Sequence, residues 1–411
     1  MSPKERGGLQ TRLFRMGLLV FLVITLMLAS FLSRSLYVES EDETGTRFFT
    51  IAMTVTYENR NGQGLEWRFT DEDRALGLFM NNGWQSAYLV NFSYPIERFE
   101  TDVDGNPAAF VSFPRKAIGA GEALSYEIAY GVMVKPRSVP DLAENASGTI
   151  DDISADLKSL YCSNEGPWQV QDSRLQRLAH EIAGNETKVL TVITRFIVWI
   201  KEHVSYMTAD GPRYPSETVL EGLGDCDDQA NVLVAFCRIV GIPAHLQIGC
   251  IYIPTKYSET SYWNGSLISK LSRLAWHGWA VVYVPPWGWL PVDLTYVQGD
   301  PRTNPFDAIT GSAVVALPTV QYANVTRSDY VAASRARRDY VVTNGFRITE
   351  HDVMDEEAVE KGQAQADMDP QFAILAFFLA LAILCPLRLE ADLVTIKWSL
   401  LLLNVYKQKV I

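Results

Sequence analysis

Gly224-Asp225-Cys226-Asp227-Asp228-Gln229-Ala230 marks a loop giving way to a helix. Upstream, Pro215-Ser216-Glu217-Thr218 and Gly222-Leu223-Gly224 carry the residues of turns. Downstream, Ala230, Leu233, Val234 and Cys237 recur at helical spacing, and Gly241 with Pro243 marks the stop. A cysteine in the first turn of a helix meets unpaired backbone N–H groups and the positive end of the helix dipole. Both favour the thiolate, the nucleophilic form of the side chain.

Two later residues complete a candidate triad. His277 lies in the strand-like run Trp276-His277-Gly278-Trp279-Ala280-Val281-Val282-Tyr283. Asp293 lies in the next one, Gly288-Trp289-Leu290-Pro291-Val292-Asp293-Leu294-Thr295. Adjacent strands can hold an imidazole and a carboxylate side by side, so that the ring takes the thiol proton and the carboxylate orients the ring. Asp225, Asp227 and Asp228 oppose this chemistry, because nearby negative charge disfavours a thiolate. Successive helix residues point about 100° apart, so these carboxylates need not face the sulfur. Their expected role is to cap the helix and hold the loop. A calcium site is the alternative, although the Gly and distal Glu of an EF-hand loop are missing. Cys237 and Cys250 read as packing residues.

The three blocks together resemble the transglutaminase-like superfamily of papain-type folds. Its pattern is a G-x-C-x-x-x-A helix start, then H-x-W-x-x-x-Y, then G-W-x-x-x-D-x-T. The resemblance covers roughly residues 170 to 300 and sets Cys226, His277 and Asp293 on the family's catalytic positions, in the family's order. Two positions depart from it. Val281 stands where many members carry Glu, and Gln229 where an aromatic residue is common. The resemblance implies a thiol acyl-transfer enzyme that uses no metal or other cofactor. Resolved by water, the thioester makes the chain a cysteine peptidase or amidase. Resolved by an amine, it makes a crosslinking transglutaminase. A non-catalytic binding module on the same fold is the reading from a different class. Trp199 and Tyr206 precede the catalytic loop, where the family can place an oxyanion-stabilising side chain; core packing is the expected role for both.

The chain's 411 residues allow two or three domains, and its net charge of −12 excludes an ordinary nucleic-acid binder. The cysteines show no paired spacing, so no disulfide framework is expected. Residues 16–33 are uncharged and apolar, long enough to cross a bilayer, and Lys4, Arg6, Arg12 and Arg15 precede them. Residues 371–387 form a second such run, with Asp367 and Asp369 before it and Arg388 after it. The positive-inside rule then puts both termini in the cytoplasm and roughly 35–368 outside. A cleaved signal peptide is the alternative for the first run. Five N-x-S/T sequons, at Asn91, Asn145, Asn185, Asn264 and Asn324, fall in the region expected outside, in keeping with a glycoprotein.

The expected architecture is α+β. Residues 1–35 hold the cytoplasmic N-terminus and first transmembrane helix. Strict alternation over 48–57 and 124–135, with a hairpin turn at Asp104-Gly105, predicts an antiparallel β-sandwich over 45–137. The papain-type core follows over 150–340. Its helices begin near Ser173 and Asn185 and pack around the Cys226 helix, and Tyr252 to Leu271 form a loop lining the substrate site. An acidic stalk over 341–369, a second transmembrane helix over 370–388 and an amphipathic cytoplasmic tail over 389–411 complete the chain. The expected partners are a membrane and a protein or peptide substrate at the cell surface.

Overall fold

The computed structural model describes residues 45–357. The expected spans at 16–33 and 371–387, the tail over 389–411 and the stalk beyond 357 lie outside the described residues. Among the described residues, no helix is long and apolar enough to cross a membrane.

The architecture is mixed α and β, built on one eight-stranded sheet. Its strands are β1 (Arg47–Asn59), β2 (Gln85–Phe92), β3 (Ala123–Val134), β4 (Ala244–Tyr262), β5 (Leu267–Val284), β6 (Gly288–Val292), β7 (Thr319–Val325) and β8 (Phe346–Glu357). They run in the order β7-β4-β5-β8-β1-β3-β2, with β6 beside the far end of β5. The helices that position the site are α1 (Ser173–Ala183), α2 (Val189–His203), α3 (Cys226–Ile239) and α4 (Tyr330–Thr343).

The alternation in β1 and β3 orients both strands as expected. Phe49 sits opposite Val132, Ile51 opposite Tyr130 and Met53 opposite Ile128, and nearly all these side chains point into one core. Smaller sheets, including one of Ala75–Gly77, Ile96–Thr101 and Pro107–Val111, contribute Leu76 and Val111 to that core. The turn at Asp104-Gly105 joins two of those strands, and Gly105 takes a φ of +86°.

Residues 45–137 are therefore layered β-structure, but not a separate sandwich. Cys250, Leu274, Val320 and Phe346 belong to the same core, and β1 and β5 share the neighbour β8. The stretch expected to begin the acidic stalk is the end of α4 followed by β8. Its acidic residues suggested solvent, but β8 alternates: Phe346, Ile348 and Met354 are buried while the last glutamates are exposed. The loop expected over 252–271 is instead the extended end of the β4–β5 hairpin, which pairs from Tyr257 opposite Ser272 to Tyr262 opposite Leu267. Ser, Tyr and Thr suit an edge-exposed ribbon as well as a loop, so composition did not separate the two.

A second core lies between the helices and the other half of the sheet. There α3 packs against α1, α2 and β5, with Phe196, Phe236, Leu233, Ala280 and Val282 fully buried. Every residue of α3 from Asp228 to Arg238 is buried, the signature of a helix enclosed on all sides. The neighbouring helix starts differ slightly from expectation. Asp172 caps α1 through the Arg174 and Leu175 N–H groups, and α2 begins after Lys188. The first shift is one residue, within the usual spread of helix ends, whereas the second is three residues.

Candidate functional site

Cys226 is the first residue of α3, as the sequence predicts. Asp225 and Asp228 form a reciprocal capping box, each side chain accepting from the other's backbone N–H. The Arg213 N–H also donates to Asp228, at 2.7 Å, tying the preceding loop to the helix. Gly224 is required here, because a Cβ would come within 2.9 Å of both Asp228 and Thr218.

His277 lies on β5 and Asp293 directly follows β6. Pairing of these strands brings the two together, with His277 Nε2 2.8 Å from an Asp293 carboxylate oxygen. Asp293 has no exposed surface. It also accepts from the Thr295 and Tyr296 N–H groups at 3.0 Å each, and from the Ala313 N–H at 3.4 Å. A carboxylate so supplied with donors is held as the acceptor, so the proton of this contact sits on Nε2. That leaves Nδ1 as the ring nitrogen available for proton transfer.

Cys226 and His277 line the same open cleft, of about 620 Å³. One wall is the β4–β5 hairpin, through Lys256, Ser258, Thr260, Tyr262, Ser269 and Leu271. The segment expected to line the site thus does so, as paired strands. Gly278 lets β5 approach the helix start, since a Cβ there would sit 2.9 Å from that of Asp227. Tyr206 departs from the packing role expected of it. Its ring is largely exposed and borders the cleft beside Cys226. Trp199 does pack, stacked on His203 with centroids 4.4 Å apart.

The electrostatics overturn the expectation of a favoured thiolate. Burial pushes the Cys226 thiol well above its ordinary value, and the Asp227 and Asp225 carboxylates push it further. The Gly278 and Asp227 backbone N–H groups oppose the shift and do not outweigh it. Nor do the carboxylates all face away from the sulfur, because Asp227 Oδ1 lies 4.0 Å from Sγ. The Asp225 carboxyl is pushed up to about 9, by burial first and Asp227 next, so it carries its proton at neutral pH. Asp228 is raised to about 6, chiefly by burial.

Asp225, Cys226 and Asp227 bring one ligand atom each within 4.8 Å of the others. This set does not fit calcium, which takes six to eight oxygens. It supplies two carboxyl groups, one of them protonated, and a thiol. Cys237 and Cys250 are fully buried, as expected of packing residues. Of the sequons, Asn324 is engaged inside the fold, its side-chain oxygen accepting from Gln247 at 2.6 Å. Asn91, Asn145, Asn185 and Asn264 are exposed.

Residues 176–294 match the model of the transglutaminase-like superfamily. No curated protein matches the chain. Among solved structures, the chain is similar to a candidate cysteine protease from Cytophaga hutchinsonii, with 17% identity over 76% of this chain and 90% of that one, and a TM-score of 0.44. The periplasmic domain of TgpA from Pseudomonas aeruginosa, bound to ethylmercury, aligns at 16% identity over 62% of this chain and 91% of that one, with a TM-score of 0.28. A candidate protease from Parabacteroides distasonis aligns at 10% identity over 69% and 68%, with a TM-score of 0.23.

Proposed function

The chain carries a domain of the transglutaminase-like superfamily, and from that premise we propose that it is a thiol acyl-transfer enzyme cleaving amide bonds through Cys226, His277 and Asp293. The observation that carries the reading is the buried His277–Asp293 pair, which opens onto the cleft that holds Cys226.

In this mechanism His277 Nδ1 removes the thiol proton as Sγ attacks the substrate carbonyl. Because the resting thiol is protonated, transfer and attack are coupled. The Cys226 backbone N–H and the Tyr206 hydroxyl are the donors proposed for the oxyanion. The imidazolium is stabilised by Asp293 and returns its proton to the leaving amine. The C–N bond breaks, leaving a thioester on Sγ. Water then attacks the thioester, His277 takes its proton and passes it to the departing sulfur, and a carboxylic acid is released.

The open cleft, whose hairpin wall offers the Ser258, Thr260 and Ser269 hydroxyls beside apolar Leu271 and Trp276, suits a peptide segment as substrate. The proposal also takes 16–33 and 371–387 as membrane anchors, with 35–368 outside the cytoplasm. This part rests on the charges that flank the two apolar runs.

Incubation with a peptide library, with and without an added primary amine, tests the reading. New carboxyl termini that depend on Cys226 support hydrolysis. Amine-linked products assign transamidation instead. Turnover by Cys226→Ala equal to wild type overturns the assignment.

A further inference from the structure

We infer that Tyr330 is a positioning residue: by holding Asp227 against Cys226, it keeps the resting nucleophile in its protonated form. The inference rests on Cys226 being the nucleophile. Tyr330 opens α4, well beyond the segment that matches the family model.

Three contacts fix the arrangement. The Tyr330 hydroxyl donates to Asp227 Oδ2 at 2.7 Å. Asn231, one turn further along α3, donates its amide N–H to the same hydroxyl at 2.6 Å. The phenol thus accepts from one neighbour and donates to the other, which sets the direction of its proton. Gly278 also abuts Asp227, so closely that even a methyl group would not fit between them. Asp227 is confined, with Oδ1 facing Sγ at 4.0 Å.

A carboxylate held there in a part-buried site opposes loss of the thiol proton. The other charged and titratable groups around Sγ are few. Asp225 and Asp228 come from its own helix, His277 from β5, Tyr206 from the loop side and Lys256 from β4. Of these, only Lys256 and a protonated His277 carry positive charge. His277 adds its charge to the site only when it has accepted the proton. A thiol so restrained resists adventitious alkylation and oxidation, since both proceed through the thiolate.

The test is the pH profile of Cys226 alkylation by iodoacetamide, read by mass spectrometry on the full-length chain. Asp227→Asn is expected to lower the inflection by about one pH unit, making alkylation at pH 7 roughly ten-fold faster. Tyr330→Phe is expected to move it the same way by a smaller amount, because it frees the carboxylate to turn from the sulfur. Tyr330→Phe added to Asp227→Asn is expected to produce no further shift. An unchanged profile for Asp227→Asn overturns the inference, and does so even if Tyr330→Phe does not fold. So does a Tyr330→Phe shift of equal size with and without the Asp227 carboxylate, since that would be a general packing effect. His277→Ala separates this idea from the proposed catalysis. Loss of amide cleavage with the Asp227→Asn shift intact sustains both, whereas cleavage that survives in Cys226→Ala removes the catalytic reading while the alkylation profile still reports on Asp227.

Discussion

Gly278 lies against Asp227 so closely that a Cβ at residue 278 would meet the Asp227 Cβ at 2.9 Å. This contact sets the gap between the strand carrying His277 and the helix start carrying Cys226. Gly278→Ala should therefore push β5 from α3 and separate the reacting groups. The expected outcome is a fall of about 100-fold in kcat/KM, the scale of a 1 Å misplacement, with a loss of roughly 1–3 kcal/mol in stability from overpacking. Steady-state kinetics and urea unfolding measure the two.

Cys226→Ala should abolish amide cleavage and leave the far-ultraviolet circular dichroism unchanged. The matched control is Cys237→Ala, in the buried half of the same helix. It should retain turnover and lose about 1 kcal/mol of stability through the small cavity it leaves. Equal effects of the two substitutions on turnover would show that position on the helix, not the thiol, matters.

Asp293→Asn should cost about 10³- to 10⁴-fold in kcat, in line with the loss expected when a catalytic histidine takes the wrong tautomer. Both Asp293 oxygens accept hydrogen bonds, two N–H groups on one and His277 Nε2 with the Ala313 N–H on the other. An amide cannot serve all of them. With its NH₂ toward the ring it would force the proton onto Nδ1, where it blocks transfer from the thiol. A variant turning over at the wild-type rate would show that another group orients His277.

Folding should take up protons at neutral pH. Asp225 is raised to about 9 and Asp228 to about 6, while an unfolded Asp ionises near 3.9. A carboxyl whose folded value is raised contributes stability that is complete below about 4 and lost as pH rises toward the folded value. For Asp225 that window runs up to about 9. Asp225→Asn removes this dependence, so the stability difference between variant and wild type should shift in the variant's favour from pH 5 to pH 9. Urea midpoints at pH 5, 7 and 9 check the slope; a constant difference would show that Asp225 is ionised in the native state.

Protease added to intact cells should destroy an epitope placed within 45–357 and spare tags at both termini. This follows from the charges flanking 16–33 and 371–387. A protected epitope would reverse the proposed topology.

Local signals in the sequence carried the helix start at Cys226, the stop near Gly241, the strand holding His277 and the one that ends just before Asp293, which was expected on that strand. Each depends on neighbours a few residues away, through capping, turn chemistry or alternation. Partners across the chain were not legible. Nothing in Phe346–Glu357 declares that it pairs with both β1 and β5, because alternation gives the faces of a strand but not its neighbours. Tyr330 was missed for the same reason, lying 103 residues from the Asp227 it holds. The orientation of Asp227 was misjudged because angular spacing on an ideal helix ignores the tyrosine and glycine that fix the carboxylate beside the sulfur.

The place of β8 has a consequence for how the chain is made. Arg47 and Glu356 pair across 309 residues, and β8 leaves the ribosome after every other strand of the sheet. Until it arrives, β1 and β5 each present an open row of N–H and C=O groups to whatever is near. Closing so distant a pairing is slow compared with local hairpin formation. The nascent protein thus passes through a stage in which two half-sheets stand apart with the strand that carries His277 at a raw edge, a state prone to aggregation and suited to chaperone protection. Synthesis of the last described strand is what seals the edge of β5 that runs on toward His277.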